Sequence, residues 1–174
     1  MIRIVRSSNL AGRTLVSALL LCCSVSILAV ADDAAHPAAL QAVSESGVVL
    51  ADVERASGER WCLAWNHSVR HFTVLDCYRN VAGEMQLERS HQPDFAAGLG
   101  HSQGRGEQVS DGQGGYWIEN IDEPVLHNRY ALRVGSHAVD HRLIWEEGGE
   151  TQSLSLSEQA SGERVTLQLI TLEH

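Results

Sequence analysis

From residue 48 onward, apolar and polar residues exchange places at every second position in short blocks. In the last block Val165, Leu167, Leu169 and Thr171 fall on one face and Thr166, Gln168 and Ile170 on the other. That is the two-residue period of a half-buried strand. Comparable blocks, rich in β-branched and aromatic residues, occupy 48–53, 60–66, 72–78, 84–88, 116–121, 130–134, 139–145, 153–156 and 165–172. Between them stand Ser57-Gly58, Ala82-Gly83, Gly114-Gly115, Gly135-Ser136, Gly148-Gly149 and Ser161-Gly162, pairs that signal turns. No helical period of useful length interrupts the series. The pattern predicts an all-β fold, an antiparallel β-sandwich or open barrel of about nine short strands.

Two regions depart from it. Residues 95–115, FAAGLGHSQGRGEQVSDGQGG, carry seven glycines and few apolar side chains, and a loop of that length inside a compact domain is usually functional or mobile. The N-terminal region begins with three arginines and no acid, continues as TLVSALLLCCSVSILAV, and reaches Ala29-Val30-Ala31 before Asp32-Asp33. This is the layout of a secretory signal, with cleavage expected after Ala31; an uncleaved anchor is the alternative. The expected organisation is a signal peptide at 1–31, an alanine-rich flexible leader or short helix at 32–46, and a single domain at 47–174.

Composition narrows the functional classes. Without the first 31 residues the chain keeps ten arginines, no lysine and all 22 acids, a net charge near −12. Such a balance disfavours nucleic acid or an anionic membrane as partner. Cys62 and Cys77 are the two cysteines left after the signal, and an even pair in an exported chain usually forms a disulfide. If 60–66 and 72–78 form a hairpin turning near residues 69 and 70, positions summing to 139 face each other, and these two cysteines do. A catalytic thiol would need a neighbour that stabilises the thiolate, and Trp61 and Leu63 provide none.

Nine histidines raise the question of a metal. His67 and His71 straddle the expected turn, and with His91 and His101 they form the candidate ligand set for zinc or copper. His137 and His141 lie four apart on an expected strand, where about 3.3 Å per residue separates them by roughly 13 Å, too far to share an ion. Gly100-His101-Ser102-Gln103-Gly104 matches the nucleophile-elbow letters. The motif needs a strand entering and a helix leaving, and this loop supplies neither, so a non-enzymatic chain is expected. No cofactor motif is present.

Several motifs, taken in order, resemble a known family: WNHSV after an apolar strand, Asp76 followed by Tyr78, FAAGLG, DGQGGYWI, DHRL, and a closing SLSEQASGERVTLQL. Over about residues 48–172 the chain is similar to the domain-of-unknown-function 1850 family, small exported proteins associated with TRAP transporters of the TAXI type. The resemblance implies a periplasmic setting beside an organic-solute transporter. The family pattern has a proline and two acids after its His-Ser-Val element, where this chain has Thr73 and then Leu75-Asp76. His67, Ser68 and Asp76 are the matching polar positions. The expectation is a non-enzymatic accessory or binding module contacting the transporter's binding protein or permease subunit, with a small organic solute as ligand. His67, Ser68, Asp76, Gly98, Gly100 and His101 are its candidate binding residues. A metal-binding protein using the histidine set is the alternative.

Overall fold

A computed structural model describes residues 37–69, 71–93 and 104–172. Strands β3 (Arg60–Asn66) and β4 (Thr73–Val81) form the expected hairpin, paired from Arg60 with Arg79 to Asn66 with Thr73. Cys62 lies opposite Cys77 and the two are joined by a disulfide. One face of the hairpin carries Trp61, Leu63, Trp65, Val74, Asp76 and Tyr78, and the other carries the disulfide, Ala64 and Leu75. The first is the core face, with Trp61 and Val74 fully buried.

This hairpin is the middle of the larger of two antiparallel sheets. It continues through β5 (Glu84–Gln92), β7 (Tyr116–Glu119) and β6 (Glu107–Ser110) on one side. On the other side lie β10 (Arg142–Glu147) and β11 (Glu150–Ser155), and the two-residue β8 (Glu123–Pro124) also pairs with β5. The smaller sheet has the order β2 (Val49–Arg55), β1 (Ala38–Ser44), β12 (Arg164–Thr171), β9 (Arg129–Arg133). A five-residue helix, α1 (Leu156–Ala160), links the sheets, its first turn capped by the Ser155 hydroxyl accepting from the Glu158 N–H.

The core is the space between the sheets. Leu40, Leu167 and Val165 from the smaller sheet meet Trp61, Met85 and Leu143 from the larger, and all six are at most 1 % exposed. Burying such a side chain contributes about 1.5–3 kcal/mol. Tyr130 of β9 stacks on Tyr78 of β4 at 5.4 Å between ring centroids, tying the sheets together at one end. At another point Arg55, 4 % exposed, reaches across with Nη1 donating to the Glu146 carbonyl at 3.1 Å.

The two-layer antiparallel architecture matches the sequence pattern; the smaller elements differ. Residues 38–44, within the segment read as a flexible leader or helix, form β1, a central strand between β2 and β12. Its inward residues are Ala38, Leu40, Ala42 and Ser44, so a two-residue period is present but written mostly in alanine, a weak strand former. Burial between two long neighbours overrides that propensity. Strands β6 and β8 were not anticipated, because four exposed residues and a two-residue bridge carry no periodic signal. His137 and His141 do not share a strand: residues 137–139 form a turn and β10 begins at Arg142. Residues 1–31, Gly98, Gly100 and His101 lie outside the described residues.

Candidate functional site

The structure separates the sequence-chosen polar residues. His67 closes the β3–β4 hairpin, where its backbone N–H donates to Phe72 and its ring packs on Phe72 at 5.0 Å. Ser68 is exposed in the turn and His71 holds a left-handed φ of 60° beside it. Asp76 is three rungs away, opposite Leu63, and faces the core. His91 points to the outer face of the larger sheet, where its Nε2 meets Asp111 Oδ2 at 2.9 Å and its ring lies 4.8 Å from Trp117. Among the described residues no three histidine, cysteine, aspartate or glutamate side chains gather as a metal site.

Asp76 has a setting that its position in the sequence did not reveal. Along β5 the inward residues begin as Met85 and Leu87, opposite Asn80 and Tyr78. Arg89 then pairs with Cys77, so Glu88 is an extra residue, a β-bulge. A bulge moves the side-chain alternation on by one. Beyond it the inward positions are even, and Ser90 and Gln92 enter the core face beside Asp76 while Arg89 and His91 turn outward.

The result is a buried polar chain. Ser90 Oγ donates to Asp76 Oδ1 at 2.6 Å, and Gln92 Nε2 donates to Ser90 Oγ at 3.0 Å. Ser90 is 3 % and Gln92 8 % exposed. Tyr78 and Tyr130 extend the polar surface, and the field of Arg105 reaches both Asp76 and Tyr78. Arg105 is itself held by Glu123, with Nε and Nη2 donating to its two carboxylate oxygens at 2.8 and 2.9 Å. The next residue explains how the arginine is brought so close. At Gly106, φ is +67° and a Cβ would collide with the Glu119 carbonyl oxygen and with Ile118, so only glycine lets this segment press against β7.

Electrostatics in the cluster follow from burial. Desolvation raises the Asp76 carboxyl above its ordinary range, opposed by the Ser90 hydrogen bond and the Arg105 charge. The same cause pushes the Tyr78 phenol up to about 12 and Tyr130 well above its usual value. Both phenols therefore stay hydrogen-bond donors at any physiological pH. Gln92 Oε1 is buried without a hydrogen-bond partner among the described residues, and the buried Tyr130 Oη has beside it the Tyr78 phenol, outside good hydrogen-bond geometry. Buried polar atoms are nearly always satisfied, so this capacity is notable. Chemically the cluster offers two phenolic donors, a carboxyl whose proton affinity is raised by burial, a nearby guanidinium and one amide acceptor.

The outer face of the same sheet has a different character. Arg60 grips Glu88 through Nε and Nη2 at 2.6 and 2.9 Å, and Arg79 reaches Glu88 at 3.3 Å and Asp122 at 3.6 Å. Arg89 lies over the Trp117 ring at 4.4 Å and 3.6 Å from Glu119. An open hollow of about 320 Å³ lined by Arg60, Glu88, Arg89 and Glu119 lies among these groups. Its charges are matched pairwise, although Arg79 Nε and Arg89 Nε are buried without a hydrogen-bond partner among the described residues; the inner cluster is the stronger candidate because its spare groups stand beside a carboxyl raised by burial. Of its members only Asp76 was singled out from the sequence. Ser90 and Gln92 stand two apart as strand neighbours should, but the bulge that turns them inward is visible only from the pairing.

One known family matches: the domain of unknown function DUF1850, over residues 62–152. That span holds Asp76, Ser90, Gln92, Arg105 and Tyr130. No curated protein and no solved structure matches the chain.

Proposed function

The chain belongs to the DUF1850 family, a domain of unknown function, and from that premise we propose that it is a non-enzymatic periplasmic accessory module of a TRAP/TAXI-type solute transporter. In this reading the cluster around Asp76 contacts a small organic acid. One observation carries it: a carboxyl is kept on the core face, raised by its own burial, next to buried polar atoms that lack a well-formed hydrogen bond among the described residues. Such an arrangement costs stability, and folds usually retain such groups where a site needs them. The donor set of Arg105, Tyr78 and Tyr130 suits a carboxylate better than a cation. The family resemblance supports the transporter setting, whose solutes are of that class.

Thermal unfolding of the purified full chain against a panel of C4 dicarboxylates, 2-oxoacids and amino acids tests the solute role. At least one acid should raise the midpoint, and Asp76→Asn should abolish the rise. Co-expression with the transporter's binding protein and permease tests the setting, with co-purification expected. A flat panel together with no retained subunit would overturn the proposal.

A further inference from the structure

Of the nine described arginines, six hold an acid within ion-pair distance: Arg55, Arg60, Arg79, Arg89, Arg105 and Arg142. The other three are Arg129, Arg133 and Arg164. They lie together. Arg129 and Arg133 are alternate residues of β9, and Arg164 of β12 is the direct cross-strand partner of Arg133. All three are exposed on the outer face of the smaller sheet, with Ala131 and Thr166 between them.

In a chain this acidic, three unmatched cations on one sheet edge are out of keeping with chance pairing. Like charges directly opposite on neighbouring strands destabilise the pair. One acid, Glu45 at the end of β1, stands across from Arg164, its N–H donating to the Arg164 carbonyl at 3.0 Å but its carboxylate outside ion-pair distance; the others on the same face, Asp52 and Glu54, belong to β2, the opposite edge of the four-stranded sheet. At about 4.8 Å per strand they stand roughly 14 Å from β9, too far to compensate. Strand β9 is moreover an edge, and alternate backbone N–H and C=O groups of an antiparallel edge strand point away from its only neighbour.

We infer that the β9 edge, with Arg129, Arg133 and Arg164, is a docking surface for an acidic extended segment of a partner protein, which adds to the sheet as a further antiparallel strand. Main-chain hydrogen bonds to β9 supply the pairing, and carboxylates at every second position of the segment meet the arginines. The acidity of the rest of the molecule repels such a segment elsewhere and so orients it on this edge. The inference uses a different sheet face from the Asp76 cluster and stands independently of any solute.

Fluorescence anisotropy on the full chain tests it, with a labelled decapeptide alternating glutamate and valine. Saturable binding is expected, weakened by salt, and absent for the matching lysine peptide. The double variant Arg133→Gln/Arg164→Gln should bind about tenfold more weakly, with its thermal midpoint showing that it remains folded. Arg60→Gln, a paired arginine on the other sheet, should bind like wild type. Glutamate peptide methylated on alternate backbone nitrogens should also lose affinity. Equal binding of the methylated peptide, unchanged binding by the double variant, or association only with anionic lipid vesicles would each overturn the inference.

Discussion

Ser90 Oγ donates to Asp76 Oδ1 at 2.6 Å across the β4–β5 pairing, and that contact exists because Glu88 is bulged out of the ladder. Without the bulge, Ser90 would share the outer face with the disulfide, and Arg89 would point at Asp76. A bulge therefore decides whether this carboxyl meets a neutral hydroxyl or a guanidinium. Glu88 itself stays on the outer face, where it accepts from Arg60 and is held below the usual carboxylate range by that bond.

The Asp76 carboxyl binds its proton more tightly in the folded chain than in the unfolded one. The associated stability is therefore complete below the ordinary carboxylate value of about 3.9 and is lost as pH rises through the raised folded value. Asp76→Asn keeps an acceptor for Ser90 and removes the ionisation. The variant should be more stable than wild type at neutral pH, by on the order of 1 kcal/mol, with the difference closing towards acid. Urea unfolding at a series of pH values measures this; a variant less stable at pH 7 than at pH 4, relative to wild type, contradicts it.

His141 behaves in the opposite sense. Its Nδ1 accepts the Gly135 N–H at 2.8 Å, and burial lowers its pKa, partly offset by Asp140. The folded chain thus resists protonation. Stability is complete above the unfolded histidine value of about 6.5 and is lost as pH falls from there through the lowered folded value. His141→Asn retains an acceptor but gives up the ring contact with Trp65. Its stability should be about 1 kcal/mol lower at pH 7.5 and nearly flat down to pH 5. A decline as steep as that of wild type would assign the acid limb to another group.

The Cys62–Cys77 bond staples two adjacent central strands across 15 residues of sequence. In the chain-entropy account a loop of that size is worth about 3 kcal/mol. Cys62→Ala/Cys77→Ala should lower the unfolding free energy by roughly that amount, and adding reductant to wild type should reproduce the loss. The solute response should survive in the variant where it remains folded, because the sulfurs lie on the outer face and Asp76 on the inner.

What could be read beforehand follows a physical line. The β3–β4 hairpin was legible down to its register, because alternation and the cysteine positions agree on one solution. The closing strand β12 was equally plain, since Val165, Leu167 and Leu169 repeat at a period of two. Strand β1 was not, because Ala38 and Ala42 bury well without advertising a strand. Asp76 is a candidate through the family resemblance, as one of its matching polar positions, but Ser90, Gln92, Arg105 and Tyr130 required three-dimensional information. A bulge switches the face of β5, and Arg105 arrives from a segment without periodicity. His67 and Ser68, grouped with Asp76 by the family resemblance, are distant in the ladder from that carboxyl.

Tyr130 separates the architectural role of the cluster from its recognition role. The ring stacks on Tyr78 between the two sheets, while its buried hydroxyl makes no well-formed hydrogen bond among the described residues and has only the Tyr78 phenol beside it. Removing a buried polar atom that is unsatisfied relieves a desolvation cost of about 1–3 kcal/mol, and phenylalanine preserves the stack. Tyr130→Phe should therefore be as stable as wild type or more so in urea unfolding. If the hydroxyl is kept for an organic acid, the same variant should lose most of the thermal shift produced by that acid, so stability and binding move in opposite directions. A variant that is destabilised and still responds fully to the acid would make the phenol a structural group and remove it from the site.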